Sequence, residues 1–373
     1  MYRSCEGVRE TTSQFRSRHG FRNRGEAVRA NPLQDNAMHQ VARAVVAAFC
    51  LAGAAACGTD RVTSGLPAAP NPPDTSGTGA PPAAGLPSLG VNAPLNGFRP
   101  FPDDNAWNVP VDTAQVDPNS AAIIAGIGTG TSLHPDWGVS ESWYGIPYVV
   151  VAGDTPKVPV TFEYADESDP GPYPIPTGAP IEGGASSSGD RHILILDRDN
   201  RRLYELWSAY PAAGGGWRAG SGAVFDLTSN ALRPAGWTSA DAAGLPIFPG
   251  LARYDEVLAG EIRHALRFTV QRTRRAYVSP ARHWASSLTG TDLPPMGMRV
   301  RLKGSFDTSR YPRDARVVLD ALKRYGMILA DNGSNWYVSG VSDPRWDPAL
   351  FDAFRSVHGG DFEVVRMGAI VAP

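Results

Sequence analysis

Seven polar side chains stand in sequence otherwise rich in glycine, proline and aromatic residues: Glu182, Asp190, His192, Glu205, Asp241, His264 and His283. Trp207, Trp217, Trp237 and Trp284 accompany them. Carboxylic acids and imidazoles are the groups that move protons near neutral pH. Indoles offer a broad apolar face and one N–H donor. In combination these types suit a polyhydroxylated substrate, with sugar rings stacked on indoles and hydroxyls bonded to carboxylates. The bland reading is that the chain's nine tryptophans fill a core.

Four chemistries fit the set. Glycoside hydrolysis needs two carboxyl groups across the scissile bond, one acid and one base or nucleophile. Glu205 with Glu182 would supply them, or Asp190 or Asp241 in place of Glu182. A polysaccharide lyase would use His192 or His264 as base with Arg191 or Arg282 against a uronate. A carbohydrate-binding or cell-surface module would need only the substrate-facing set, for which Trp207, Trp237, His264, Arg282, His283 and Trp284 are the candidates. A metal centre would gather His192, His264 and His283 with a carboxylate. No cofactor is expected, with Ca²⁺ or Zn²⁺ left open. The sequence has no GxSxG elbow, HExxH helix, phosphate-binding GxxxxGK[ST] loop, CxxC pair or complete EF-hand.

The elements that would position these residues follow from local pattern. "GDRHILILDRDNRRLYELW" reads as two strands around a turn at Asp199–Asn200, residues that tolerate positive φ. Centring the turn there sets Leu194 opposite Glu205, Leu196 opposite Leu203 and His192 opposite Trp207, all on one face. Glu205 then lies among leucines, where burial would raise its pKa and prepare a general acid. The competing reading is a satisfied core carboxylate paired with Arg191 or Arg218. The preceding "ADESDPGPYPIPTGAPIEGG" has too much proline and glycine for a regular element, and reads as a stiff, ordered loop.

Strands are expected in "GIPYVVVAG", "KVPVTFEY", at Ala223–Leu227, at Ala265–Val270, in "MGMRVRLKGSF" and in "DFEVVRMGAIV". "MILA" and "WYVSG" flank the turn "DNGSN". The clearest helix spans 312–325, where Val317, Val318, Ala321, Leu322 and Tyr325 form an apolar stripe ending at Gly326. Shorter helices are expected from Asn119 or Ser120 to Ile127 and over Pro348–Val357. If the segment after Tyr254 is helical, Glu261 and His264 share a side and could form a dyad. Many strands, long loops and one clear helix predict a mainly β fold, a β-sandwich of jelly-roll or lectin-like type.

The chain of 373 residues divides by composition. Residues 1–37 are arginine-rich without periodicity and read as an extension upstream of a true start at Met38. Arg43, an apolar run over Ala44–Ala56 and its small-residue exit read as a secretory signal over 38–56. Cys57 after that exit resembles a bacterial lipidation site, although Ala54 stands where leucine is usual; plain cleavage is the alternative. Residues 57–97 form a Pro/Gly/Ala-rich tether, and 98–373 a single domain. With three cysteines, at 5, 50 and 57, the domain has no internal disulfide. The net charge of −2 and the lack of a basic stripe argue against nucleic acid. The expected partners are a polysaccharide or cell-wall glycan, and a membrane through an anchor at Cys57. Export to the cell envelope or medium follows.

The phrases "FPDDNAWN", "ESDPGPYPIPTGAPIEGG", "GDRHILILDRDNRRLYELW", "SNALRPAGWTSADAAGLPIFPGLARYDEV", "IRHALRFTV", "ARHWASS" and "YGMILADNGSNWYVSG" together resemble a family of exported proteins from soil-type bacteria. The resemblance covers about residues 98–365. The family carries no assigned function, so it implies export but no catalytic residues.

Overall fold

Alternation and turn chemistry build the centre of the molecule. In the computed structural model, which describes residues 85–138 and 144–373, Ile193–Asp197 and Arg202–Trp207 pair antiparallel. Their register is the expected one: Leu194 opposite Glu205 and Leu196 opposite Leu203. Asp197 accepts from the backbone and side-chain nitrogens of Asn200, and Arg201 takes the positive φ that closes the turn. Both faces of the hairpin are covered. Leu194, Leu196 and Leu203 enter the larger core, while Ile193, Ile195, Tyr204 and Leu206 enter a second one with Tyr173 and Ile175.

Sixteen strands are described: β1 Gly90–Val91, β2 His134–Asp136, β3 Tyr148–Val151, β4 Val160–Phe162, β5 Ile193–Asp197, β6 Arg202–Trp207, β7 Tyr210–Pro211, β8 Trp217–Ala219, β9 Ser221–Asp226, β10 Leu266–Val270, β11 Tyr277–Val278, β12 Arg299–Leu302, β13 Met327–Asn332, β14 Tyr337–Ser339, β15 Phe362–Val364 and β16 Ile370–Val371. One sheet runs β1-β3-β5-β6-β9 and another β15-β12-β13-β10-β14-β2. Two small sheets, β4-β8-β7 and β11-β16, complete the set. Strand residues outnumber helical ones, 24% to 15%, so the fold is mainly β. The sheets are mixed: β3–β5, β4–β8, β10–β13 and β2–β14 are parallel.

The helices are α1 Ser120–Ile127, α2 Tyr254–Ala259, α3 Arg313–Arg324 and α4 Pro348–Phe354. Ala315, Val318, Leu319 and Leu322 of α3 recur at one-turn spacing and are fully buried. Lys323 and Arg324 complement the negative end of its dipole, and Gly326 at φ 67° turns the chain into β13. No helix among the described residues is long and apolar enough to cross a membrane.

Three expectations change. The turn "DNGSN" does not close a hairpin, because β10 inserts between β13 and β14, parallel to one and antiparallel to the other. β10 is buried along its whole length, and a strand covered on both faces takes a central place. The Glu261–His264 dyad does not form: α2 ends at Ala259, Glu261 bonds Arg324, and His264 turns back to Glu256. The folded region also reaches back into the segment read as tether, since β1 pairs with β3 and Leu95 is buried. The signal, Cys57 and residues 1–37 lie outside the described residues.

Candidate functional site

The loop Leu227–Leu245 is held by its own polar groups. Ser239 Oγ donates to the carbonyl of Leu245, and Ser221 Oγ donates to that of Ser239. Gly244 takes φ +70°, and a Cβ there would strike the Trp237 carbonyl, so only glycine fits the bend. The loop delivers Asp241 to the face of β10 that carries Arg267. Arg267 Nε and Nη2 donate to the two Asp241 oxygens at 2.8 and 2.9 Å. The same guanidinium reaches Ser339 Oγ on β14 at 2.6 Å and Asp331 on β13 at 3.3 Å. A bidentate pair of this kind fixes position as well as charge. The Asp241 side chain is fully buried and Asp331 is 28% exposed.

Burial and the neighbouring Asp241 charge push the Asp331 carboxyl up to about 7, against the pull of Arg267 and of the Asn332 N–H; Asp190 adds to the rise. On β2, Asp136 is half-buried and raised by burial, with His134 and Arg267 opposing. Five segments distant in sequence thus converge on one charged face.

His192, just ahead of β5, forms the other half. Its Nδ1 lies 2.5 Å from Glu182 Oε2, and its Nε2 lies 3.1 Å from the Ala240 carbonyl. Burial alone would lower the imidazole pKa, but the Glu182 charge and hydrogen bond outweigh it and hold the ring charged up to about 9. Glu182 is lowered in turn, its burial outweighed by His192. The stiff loop before the hairpin thus places Glu182 against His192. Asp190 is exposed and accepts from Trp207 Nε1 at 3.1 Å. Gly220 is required under Trp207, because a Cβ there would occupy the indole's volume. Ligand-type atoms of Glu182, Asp190 and His192 all lie within 4.8 Å of one another.

Glu205 is brought near this cluster but faces inward. It is fully buried, and its carboxylate accepts from the backbone N–H of Ile247 and Phe248 at 2.8–3.0 Å. Burial raises it to about 7, tempered by those two amides, while Asp241 adds to the rise. The suggested arginine partners are engaged elsewhere. Arg191 donates to the carbonyls of Ala209, Ala185 and Ser187, and Arg218 lies over Tyr210. Backbone amides replaced them because β6 packs against the start of the short 3-10 turn Phe248–Gly250. Glu205 pins the end of the Asp241 loop.

Of the expected substrate-facing residues, His283 and Arg282 border the Asp241 loop. His283 Nδ1 bonds the Ala242 carbonyl at 2.8 Å, and the Arg282 backbone N–H donates to that of Ala243. Trp284 is half-buried and stacks on Tyr277 and His283. The next residue's carbonyl, Ala285, accepts from Asn332 beside Asp331. Trp237 lies under Arg233 and is half-buried. His264 is sealed in a separate cluster with Arg253 and Glu256, so the three histidines do not converge. Asp136, Arg267 and Asp331 escaped the sequence reading. For Arg267 and Asp331 the one signal is a charge inside an apolar strand, "LRFTV" and "MILADN". Two surface hollows of about 350 Å³ lie elsewhere, around Phe306 and Tyr311, and share no residue with the cluster.

Comparison of the chain with protein-family models, curated proteins and solved structures finds no match.

Proposed function

We propose that the protein is an exported carbohydrate-active enzyme that hydrolyses glycosidic bonds of a polysaccharide with paired carboxyl groups. The observation that carries this reading is Asp331. It stands on β13, bonded by Arg267 and partly open to solvent, with its carboxyl raised by burial and by the Asp241 charge, and exposed Asp190 adds to the rise. Carboxyl groups driven to different protonation states mark acid and base roles. Asp331 would protonate the leaving oxygen, and exposed Asp190 would be the second carboxyl, acting on water or on the anomeric carbon. Arg267 positions Asp331 and neutralises Asp241. Trp207 and Trp284, both half-buried, would stack sugar rings. The two larger sheets share one core, and we read them as a sandwich-like scaffold of the lectin kind.

In this assignment Glu205 and Glu182 are supporting groups. A lyase with His192 as base is set aside, because Glu182 and Ala240 occupy both ring nitrogens. The surplus of carboxylates also disfavours an anionic uronate substrate. Export, membership of the exported bacterial family and lipidation at Cys57 belong to the same reading and rest on the sequence. A panel of plant, fungal and bacterial polysaccharides should yield reducing ends. Retention on a glycan without product would favour the binding module, and neither turnover nor retention would overturn both.

A further inference from the structure

We infer that Glu182, Asp190 and His192 form a binding site for a first-row divalent transition cation. Among the described residues these three are the group whose imidazole and carboxylate atoms come together within ligand range. The inference goes beyond the proposed reaction and shares Asp190 with it: a bound cation would take Asp190 as a ligand, in an enzyme or in a binding module.

The three side chains are oriented by groups outside the trio. His192 Nε2 is tied to the Ala240 carbonyl, which accepts an N–H there. With the proton fixed on Nε2, the neutral ring presents its lone pair on Nδ1, toward Glu182. A ligating histidine held by a backbone carbonyl through its other nitrogen is the usual outer arrangement of a metal centre. Asp190 is held by the indole N–H of Trp207. The His192 backbone N–H donates to Glu182 Oε2 at 3.3 Å. The His192 ring is 4% exposed and Glu182 23%, whereas Asp190 is open to solvent. One side is thus closed by protein, and the other leaves coordination positions for water or a substrate oxygen.

The fit needs a small adjustment. Ligand atoms about 2.0–2.2 Å from one ion stand about 3.3 Å apart in tetrahedral geometry. Nδ1 and Oε2 stand 2.5 Å apart, so Glu182 must retreat by less than about an ångström. The ion enters as Nδ1 releases its proton to solvent. One imidazole nitrogen with two carboxylates suits Zn²⁺, Fe²⁺ or Mn²⁺. Ca²⁺, which takes oxygen ligands, fits poorly.

The test is equilibrium dialysis of the full chain, stripped with chelator, against Zn²⁺, with retained metal measured per chain. One equivalent is expected, and Co²⁺ loaded in its place should give the visible bands of a bound, low-symmetry ion. Asp190→Asn changes an exposed residue and should keep the fold, checked by its melting temperature. It should weaken uptake at least about 10-fold, and His192→Ala further. His283→Gln should retain the full equivalent. Failure of the wild type to retain zinc overturns the site, as does uptake untouched by Asp190→Asn or lost in His283→Gln. None of these readouts depends on turnover, so a failed cation site leaves hydrolysis to be judged by product release.

Discussion

Two buried clusters each set one arginine against carboxyl groups and differ in where those groups come from. Near the end of α2, Arg253 and His264 both grip Glu256, at 2.6 and 3.0 Å, from within a span of twelve residues. Burial would raise Glu256, but Arg253 and His264 together hold it below the ordinary range. In the other cluster Arg267 faces Asp241 and Asp331 together, with Asp136 close by, and the surplus acid holds its proton up to about 7. Local segments supply the first cluster, where neighbouring Asp255 is also raised by burial but accepts the Leu95 N–H. Five distant segments supply the acidic one, and its outer members reach solvent. Carboxyl groups gathered from distant segments with members open to solvent are what mark the second cluster as a functional candidate.

The largest expected effect separates the clusters by partner loss. Arg267→Met strands two carboxylates, one fully buried, and should cost about 3–5 kcal/mol in urea unfolding. Arg253→Met leaves Glu256 with His264, so its cost should be smaller. Equal costs would break the comparison. Next, Glu205→Leu leaves the Ile247 and Phe248 N–H groups without their acceptor. It should cost roughly 2–4 kcal/mol and loosen the Asp241 loop, seen as faster amide exchange at those two residues.

The smallest effect is in pH dependence, and its sign differs between Glu256 and the raised carboxyls Glu205 and Asp331. Glu205 and Asp331 titrate near 7 when folded, against ordinary values of 4.5 and 3.8. The folded state therefore binds more protons between those limits. Their penalty is absent below about pH 4, grows through 4–7 and is complete above 7. Glu256, depressed when folded, contributes stability above its ordinary 4.5 that is lost as pH falls. Urea midpoints at pH 5 and pH 8 should show Glu205→Gln losing about 1–3 kcal/mol less than wild type over this rise. Glu256→Gln should show no such flattening.

The hairpin β5–β6 was legible because alternation, a turn pair and two apolar faces agree on one register. α3 was legible because its stripe, charged end and Gly326 agree. Where one local signal competed with a distant partner, sequence failed. "DNGSN" carries turn chemistry, yet nothing local reveals that Leu266–Val270 slides between its flanking strands. Glu205 was located correctly among leucines, but the backbone amides that satisfy it lie 42 and 43 residues away. Glu182, Asp190, His192 and Asp241 were recognised by type in irregular sequence. Arg267 and Asp331 are not legible, because each is a single charge in a largely apolar strand whose partners come from distant segments.

The most direct test of the account is the pH–rate profile of glycan hydrolysis for wild type and Asp331→Asn. The wild type should lose activity above about pH 7 as Asp331 gives up its proton. Asp331→Asn should fold and bind glycan, yet release product at least about 100-fold more slowly. An Asp331→Asn variant with unchanged rate and an unchanged alkaline limb would contradict the assignment of Asp331 as the acid.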